Sequence, residues 1–469
     1  MSLFRLRPWW LLPAALAFGL ALRPVTDYDL GFHLRTGEWI LQHGIPVTDP
    51  FSFTQEGNPW YLEQWLGATA FWLVFRAVGL TGLIVFKAAV VGAAFALASA
   101  AAANAAKSAP LGALAAMLAA AAAQPRFNTQ PFVFSFLLLA STAWMLGRAR
   151  GRFWLVPLFA LWPHVHVGWL YGAAFCGAWA LGAAIEERSP RPLLLPLACG
   201  AAAAASLFAF HPVGAGVLAR VWHIYRSDFY RAHIVELQSL GRSYPLTVPL
   251  LLLLVVPPIV ALFRPRQAAP RWLLPQILFA CSAARVGRLL SEASIVAAPA
   301  LAACLTPLLE EARGQTVRLA RLARPPLVAA CLAVAAFASV AVHLAQVPAL
   351  DWEDFSYPRA CYQWLDAHEQ GRGFNDMLYG GTFIFHFFPR RKPFIDGRTN
   401  YLEEFFRGSY FVIRNAEPGW KEEARRWDLR WFLLHPARFA RLHAALRSDP
   451  GFRLAHQELN CAIYEWAGP

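Results

Sequence analysis

The chain has 469 residues, of which 57% are apolar and 15% are charged, and its mean hydropathy is +0.39. A typical soluble domain carries about 25% charged residues, so the composition excludes an ordinary cytosolic enzyme, a disordered chain and a secreted disulfide scaffold. The long apolar runs predict instead an α-helical polytopic membrane protein with about eleven to thirteen spans. The formal net charge is +13, but most Arg residues lie between apolar runs, where they indicate topology and headgroup contacts rather than nucleic-acid binding.

The first apolar run ends at Leu22 and predicts an uncleaved membrane helix. Residues 23–61 follow as a polar loop with an acidic excess, which we expect on the outer side of the membrane. Within it, Leu30–His43 alternates apolar side chains with His33, Arg35 and Glu38 at helical spacing. This pattern predicts a short amphipathic helix at the membrane surface.

Further apolar segments predict membrane-spanning helices. They are 62–79, 81–103, 108–123, 131–147, 153–168, 169–185, 192–211, 244–263, 271–284, 289–308 and 325–347. Arg148, Arg150 and Arg152 between two of them should face the cytoplasm, which places loop 212–243 outside as a juxtamembrane segment. Residues 80–123 require an odd number of crossings yet resemble two helices, a conflict that the pattern leaves open.

Charged and aromatic residues return near residue 350, so we divide the chain into a membrane domain at 1–348 and an extracytoplasmic α/β domain at 349–469. In the second domain, strands are predicted at 392–395, 429–434 and 461–466, and helices at 420–427 and 436–447. Cys361 and Cys461 could form a disulfide if this domain lies in an oxidising compartment, and two free thiols are the equal alternative.

The strongest chemical signal is the pair Asp27 and Asp29, directly after the first helix. A carboxylate at the boundary between headgroups and water can accept a proton from an attacking hydroxyl, or two can hold Mg²⁺ or Mn²⁺. The alternative is a polar loop start in which Asp29 caps the helix that begins near Leu30.

The stretch Asp29-Leu-Gly-Phe-His-Leu-Arg35, followed by Gly44-Ile-Pro-Val-Thr-Asp49-Pro, resembles the first external loop of GT-C-type membrane glycosyltransferases, including the oligosaccharyltransferase catalytic subunit. The chain also resembles an uncharacterised bacterial family of GT-C-like proteins. Its other matching segments are Pro125-Arg126, Trp162-Pro-His-Val-His166, His211-Pro212, Ile234-Val-Glu236, Arg285-Val-Gly-Arg288, Phe374-Asn-Asp376, Gly380-Gly381 and Ile395-Asp-Gly-Arg398.

The resemblance implies a glycosyltransferase of the bacterial inner membrane that takes a sugar from a polyprenyl-phosphate donor to an extracytoplasmic lipid, glycan or protein. It implies that Asp29 is the catalytic base and Asp27 its partner. Activated sugar outside the inner membrane must arrive on a lipid carrier, because nucleotide sugars are unavailable there. Direct displacement by the acceptor hydroxyl would invert the anomeric configuration.

The departing phosphate requires cations. Arg285 and Arg288 are three residues apart at a predicted helix end, so we expect them to share a helix face. They are the first candidates, because Arg matches phosphate geometry, with snorkelling to headgroups as the equal alternative. Arg126 and Arg35 are secondary candidates, and Arg35 could instead pair with Asp29 or Glu38.

Two further sets of residues are candidates for donor or acceptor binding. His164 and His166 could bind phosphate or sugar. The alternative is that they only pack at the membrane interface. Glu236 could be a second acid of the site or a metal ligand. The alternative is that it is a solvated surface residue. The Asn375-Asp376, Gly380-Gly381 and Asp396-Gly397-Arg398 turns most simply build the second domain, with acceptor selection as the functional alternative.

Two other functions remain open from the sequence. A transporter or flippase for a lipid-linked substrate would line a path with polar residues, but the spans are mostly Ala, Leu and Val and contain no evident inverted repeat. A non-catalytic scaffold would keep the fold and bind a partner through its soluble domain. The sequence gives no metal requirement, and Asp27 and Asp29 are the candidate ligands for Mg²⁺ or Mn²⁺.

Overall fold

The computed structural model describes residues 7–148, 150–315, 325–368 and 371–467, and the chain divides into two compact units. Unit 1 comprises Met1–Arg23 and Val78–Leu350, and unit 2 comprises Pro24–Ala77 and Asp351–Pro469. Unit 2 therefore contains the first polar loop together with the C-terminal segment. Which parts lie in the membrane and which in the periplasm stays a prediction.

The helices up to residue 350 follow the apolar runs closely. In chain order they are α1 Arg7–Ala21, α2 Leu30–His43, α3 Trp65–Ala106, α4 Ala109–Ala123, α5 Val133–Leu146, α6 Leu155–Val165, α7 Trp169–Glu187, α8 Leu194–Phe210, α9 Gly216–Arg226, α10 Asp228–His233, α11 Leu240–Ser243, α12 Val248–Phe263, α13 Pro270–Arg285, α14 Leu290–Gln315 and α15 Pro325–Ala345. Each predicted span thus corresponds to a helix, because continuous apolar composition favours burial of an internally hydrogen-bonded segment.

Near residue 80, where the boundary between two segments is predicted, α3 consists of two helices joined at a kink. Gly79 has φ +69 and ψ −172 inside α3, a conformation that glycine adopts without steric cost. Among the described residues, four segments have the length and composition to cross a membrane: Trp65–Ala106, Arg191–Phe210, Gly287–Glu311 and Leu327–Ala345. Shorter apolar helices accompany them, so the chain is a polytopic membrane protein by composition, while the number of spans stays a prediction.

The Ala-rich helix α4 lies inside unit 1, where it packs against α1, α12 and α14. Its Ala side chains are almost all buried, and a Cβ added to Gly112 would lie 2.5 Å from the backbone nitrogen of Ala103. Small residues allow this close approach of helix backbones. The Ala run therefore reflects dense helix packing.

Unit 2 contains a four-stranded sheet in the order β1-β2-β4-β3. The strands are β1 Arg372–Asn375, β2 Leu429–Leu434, β3 Phe452–Gln457 and β4 Ala462–Trp466, and the helices longer than five residues in the C-terminal segment are α16 Arg359–His368, α17 Met377–Phe387, α18 Trp420–Arg426 and α19 Ala440–Ser448. The pairs β1–β2 are parallel, and β2–β4 and β3–β4 are antiparallel. Alternate side chains of β2 enter two aromatic clusters on opposite faces.

The prediction of a small α/β domain is confirmed, with two corrections. Segment 392–395 is not a strand, because the backbone of Phe394 and Ile395 bonds to the side-chain amide of Asn375 instead of to a neighbouring strand. The strands β1 and β3 were missed by the sequence analysis. Cys361 and Cys461 form a disulfide, which resolves the alternative left open by their spacing.

Helix α2 is present as predicted, but its first half is buried rather than on a surface. It packs against α17 within unit 2. A Cβ on Gly31 would lie 2.3 Å from the carbonyl oxygen of Gly381, so glycine permits the contact. His33, assigned by its spacing to the polar face, is consequently buried.

Candidate active site

Asp27 and Asp29 stand at the start of α2 in unit 2. The Asp29 backbone N–H donates to Asp27 Oδ1 at 2.8 Å, and the Asp29 carbonyl accepts from His33 N–H as the helix begins. Among the described residues the Asp29 side chain makes no capping hydrogen bond to α2. The alternative in which Asp29 serves as a side-chain helix cap is therefore wrong, because Asp27 orders this turn instead.

Two glycines from the C-terminal segment lie against the Asp29 turn. A Cβ on Gly397 would lie 2.2 Å from Asp29 Oδ1, and a Cβ on Gly381 would lie 2.1 Å from the Tyr28 carbonyl oxygen. Gly380 in turn packs on the backbone at Ile395. The Gly380-Gly381 and Asp396-Gly397-Arg398 motifs thus meet the first-loop carboxylate, while their selection of an acceptor stays a prediction.

A buried ion network fixes the turn that carries Gly397. Arg398 forms ion pairs with Asp49 at 2.8 Å and with Asp396 at 2.7 Å, and all three side chains are at most 2% exposed. The Tyr401 hydroxyl also donates to Asp396 Oδ2 at 2.8 Å, and the Arg398 guanidinium lies over the Trp60 ring. Buried ion pairs that are also hydrogen-bonded favour a single geometry. The Asp396-Gly397-Arg398 turn beside Asp29 is therefore held in place.

A second ion pair adjoins Tyr28, between the two aspartates. Arg438 Nη2 lies 2.6 Å from Asp376 Oδ2, and its guanidinium lies over the rings of Phe355 and Tyr379. Burial, together with the Asp376 and Asp27 carboxylates, raises the pKa of Tyr28 to about 12. The Tyr28 hydroxyl is thus protonated at physiological pH and available as a hydrogen-bond donor.

Arg35 is part of the packing between α2 and α17. Its guanidinium pairs with Glu38, and its Nε donates to the Phe385 carbonyl oxygen at 2.9 Å. Of the alternatives drawn from the sequence, the structural pairing with Glu38 is the one observed. Its secondary candidacy for phosphate binding has no support from these contacts.

Unit 1 brings together Arg126, Glu236 and Arg288 from three distant parts of the sequence. Glu236 Oε1 lies 2.9 Å from Arg126 Nη1, and Oε2 lies 3.3 Å from Arg288 Nε. The Tyr244 hydroxyl is within 3.4 Å of Glu236 and accepts from Arg126 at 3.1 Å. The two guanidinium groups hold the pKa of Glu236 down to about 2 despite its partial burial, so Glu236 is a carboxylate here and not a solvated surface group.

Three short 3₁₀ segments build this cluster: Gln124–Arg126, Val235–Leu237 and Gly287–Leu289. The Gly287 N–H donates to the Gln238 carbonyl oxygen at 2.7 Å, which ties two of them together. Helix α13 ends at Arg285, so the expectation that Arg285 and Arg288 share a helix face is wrong. Arg285 is exposed, and only Arg288 reaches Glu236.

His164 and His166 lie in a buried hydrogen-bond network of unit 1. His164 Nε2 is 2.7 Å from Ser206 Oγ, and His166 Nδ1 is 2.9 Å from Ser135 Oγ. The Gly168 N–H donates to His166 Nδ1 at 3.0 Å, so that nitrogen is an acceptor. The Phe132 ring contacts both His166 and the Arg126 guanidinium, which connects this network to the arginine cluster.

Several polar residues of the two groups were missed by the sequence analysis. Glu292 in the first turn of α14 is buried and interacts electrostatically with Arg126. A lone acid at the start of an apolar run was the available signal. Arg438 and Tyr244 carried no such signal, because they lie in ordinary mixed sequence and gain their partners only through the fold.

The described residues contain no group of three or more His, Cys, Asp and Glu side chains that could hold a metal ion. Asp27 and Asp29 are two carboxylates, and one Asp27 oxygen already accepts a backbone hydrogen bond. Mg²⁺ in proteins is usually held by one or two carboxylates together with waters and substrate phosphates, so Asp27 and Asp29 are the residues that would hold it.

Comparison with known proteins identifies the fold. No protein-family profile and no curated protein matches the sequence. Among solved structures, the chain is similar to the oligosaccharyltransferase AglB from Archaeoglobus fulgidus in complex with an inhibitory peptide and a dolichol-phosphate, with TM-score 0.57 and 12% identity over 92% of this chain and 70% of that one. It is also similar to ArnT from Cupriavidus metallidurans bound to undecaprenyl phosphate, with TM-score 0.57 and 13% identity over 99% of this chain and 98% of that one.

The chain shares the fold of these two solved structures, as expected from the first-loop resemblance. The near-complete coverage against ArnT, in both its apo and lipid-bound structures, extends this likeness to the C-terminal segment. At this level of identity the likeness concerns architecture, and the chemistry has to be argued from the residues themselves.

Proposed function

We propose that this protein is a membrane glycosyltransferase that transfers a sugar from a polyprenyl-phosphate donor to an extracytoplasmic acceptor. The observation that carries the proposal is the Asp29 carboxylate, which is not used as a helix cap and is packed against Gly397 at the head of α2. The GT-C fold supports the reaction class, and the dolichol-phosphate and undecaprenyl phosphate bound by the similar proteins support a lipid-linked donor.

Asp29 acts as the general base in this proposal. It takes the proton from the acceptor hydroxyl as that oxygen forms a bond to the anomeric carbon. The bond from the anomeric carbon to the phosphate oxygen breaks, and the carrier phosphate departs with the electron pair. A single displacement of this kind inverts the anomeric configuration.

Arg288 and Arg126 bind the carrier phosphate in this proposal. Guanidinium groups match phosphate geometry, and preformed cations stabilise charge that develops on a leaving group. Arg288 is one third exposed and so accessible to a ligand. The exposed Arg285 contacts lipid headgroups. His164 and His166 help to bind phosphate or sugar, and the Phe132 ring connects His166 to Arg126.

We propose that residues 349–469 lie in the periplasm and that the protein belongs to the bacterial inner membrane. The Cys361–Cys461 disulfide supports this, because disulfides persist in oxidising compartments. The acceptor, whether a lipid, a glycan or a protein, would approach Asp29 from that side, where the Asp396-Gly397-Arg398 turn helps to select it.

The test compares sugar transfer by purified wild type and Asp29→Asn, using a panel of polyprenyl-phosphate sugars and an envelope extract as acceptor. Loss of a general base reduces the rate by about 100-fold or more, while Asn preserves the shape of the side chain. Glu56→Gln, an exposed carboxylate of the same loop, is the matched control and should retain full activity. Undiminished transfer by Asp29→Asn would remove the proposed base.

A further inference from the structure

Glu236 lies between two guanidinium groups, those of Arg126 and Arg288. One carboxylate oxygen contacts Arg126 Nη1 at 2.9 Å and the other contacts Arg288 Nε at 3.3 Å, and the Tyr244 hydroxyl lies beside them. Two guanidinium groups and a hydroxyl are the donors that a phosphate monoester or diester would use. The carboxylate therefore mimics a bound anion.

Access to Arg126 depends on this carboxylate. The Arg126 side chain is 2% exposed, whereas the side chains of Glu236 and Arg288 are 32% and 34% exposed. Glu236 is thus the more exposed partner of the inner arginine, and an anion that took its place would contact both guanidinium groups. Arg288 is accessible first.

A second observation indicates that the cluster is built for another ligand. Arg126 Nε and Glu292 Oε2 are buried and have no hydrogen-bond partner among the described residues, and Glu292 interacts with Arg126 electrostatically. Buried polar atoms are almost always paired, so each exception requires an explanation. An unfilled donor on the inner arginine fits a site whose ligand is not yet bound.

We propose that Glu236 is a displaceable counter-ion of the phosphate site. It neutralises Arg126 and Arg288 while the site is empty and gives up its position when the phosphate of a polyprenyl lipid binds. This inference rests on the proposed function for the identity of the lipid. Exchange of one anion for another restricts the site to ligands whose charge outcompetes a resident carboxylate, and it keeps neutral polyprenols out.

Glu236 sits on the short 3₁₀ turn Val235–Leu237, whose backbone is held by the Ser243 hydroxyl at the Val235 carbonyl oxygen (2.6 Å) and by the Gly287 N–H at the Gln238 carbonyl oxygen (2.7 Å). The turn follows Ile234 and precedes Gln238, both of which are extended. The backbone of the turn can stay in place while the Glu236 side chain leaves the arginines by rotation about its own bonds, because rotamer changes of partly exposed side chains are fast. Displacement therefore requires only a local change.

The test measures the binding of undecaprenyl phosphate to full-length protein in detergent, with undecaprenol as the uncharged control lipid. The variant Glu236→Gln keeps the shape of the side chain and removes the competing charge. We expect it to bind the phosphate lipid about fivefold more tightly, equivalent to roughly 1 kcal/mol, with undecaprenol binding unchanged. Asp228→Asn, which removes an exposed carboxylate of the neighbouring helix α10, should bind like wild type.

A stability measurement covers the case in which the variant is poorly folded. Without its counter-ion, buried Arg126 is an unpaired charge, so Glu236→Gln should melt below wild type in the absence of lipid. Undecaprenyl phosphate should restore its melting temperature, and undecaprenol should not. Weaker or unchanged binding of the phosphate lipid, or no rescue by it, would overturn the displacement proposal.

The outcomes separate this inference from the proposed function. If Glu236→Gln binds the phosphate lipid more tightly but no sugar is transferred under any condition, the counter-ion role stands and the transferase proposal fails. If transfer depends on Asp29 and Glu236→Gln binds no more tightly, the transferase stands and the counter-ion role fails.

Discussion

The contact between Asp29 and Gly397 determines whether the first-loop carboxylate can act as a base. A side chain at position 397 would occupy the space of Asp29 Oδ1, because the added Cβ would be 2.2 Å away. The neighbouring Arg398 network holds the turn in place, so the backbone cannot retreat easily. Position 397 therefore requires glycine, because any side chain there would displace the Asp29 carboxylate.

Gly397→Ala should lower sugar transfer at least about tenfold, because a catalytic group displaced by about an ångström loses rate of this order or more. Gly408→Ala is the matched control, since no described atom lies within 4 Å of the Cβ it would add. The measurement is initial transfer rate alongside melting temperature. Equal rates for the two variants would show that Gly397 does not position Asp29.

The buried His33 in α2 makes the free energy of unfolding depend on pH. Burial lowers the pKa of His33 to about 3 from its ordinary value of 6.5, so the unfolded chain takes up a proton below pH 6.5 that the folded protein excludes. The free energy of unfolding therefore falls as the pH drops from 6.5 towards 3, by up to about 1.4 kcal/mol per pH unit.

In His33→Leu the melting temperature should fall less steeply between pH 6.5 and pH 4 than in wild type. The exposed His43→Gln should leave the slope unchanged. Melting curves of detergent-solubilised protein at several pH values give the comparison. A slope in His33→Leu equal to that of wild type would mean that His33 is protonated in the folded state.

The residue types in the sequence predicted some of the residues of this site but not their partners. Asp27, Asp29 and the glycine turns were recognisable because carboxylates after a membrane helix and Asp-Gly pairs have few other uses. Arg438 and Tyr244 were not, because a polar residue acquires its partner only when distant segments meet. Arg35 shows the converse: its spacing to Glu38 predicted a local pair, and that pair is what forms.

At the scale of elements, the first loop and the C-terminal segment are joined by the ion network of Arg398, Asp49 and Asp396. Asn400 also donates to Asp49 at 2.7 Å. These contacts lie within unit 2 and fix the 394–401 segment on the loop that precedes α3. The loop therefore depends for its shape on residues about 350 positions further along the chain.

Arg398→Met should destabilise unit 2 by roughly 3–5 kcal/mol, because it leaves two buried carboxylates without their cation. Lys392→Met removes the more exposed pair with Glu56 and should cost less than about 1 kcal/mol. Unfolding by denaturant, followed by tryptophan fluorescence, measures both. Similar midpoints for the two variants would contradict a stabilising role for the network.

Helices and strands could be predicted from the sequence where the local pattern of apolar residues determines them. The helices of unit 1 follow apolar runs of their own length, so their positions came out within a few residues. In unit 2 the segment 392–395 has the composition of a strand, but the Asn375 amide takes up its backbone groups. Strand β3, whose burial is largely partial or absent, offered no alternation to detect.

In the whole molecule, each of the two units is built from two separate segments of the chain. Unit 2 assembles residues 24–77 with 351–469, whereas the composition suggested a boundary near residue 348 only. Composition reports where polar sequence returns, and it does not report which distant polar segments fold together. The GT-C architecture was nonetheless accessible from the first-loop motif, and the similar solved structures confirm it.

The central claim is that a sugar–phosphate bond is broken, and the fate of the donor lipid tests it most directly. Wild-type protein in liposomes, supplied with isotopically labelled polyprenyl-phosphate sugar and an acceptor extract from cells lacking the gene, is analysed by mass spectrometry. The account predicts that wild type converts the donor to polyprenyl phosphate and moves the label to an acceptor, and that Asp29→Asn leaves the donor intact. Intact donor that crosses the bilayer, or an unchanged donor pool with wild type, would contradict it.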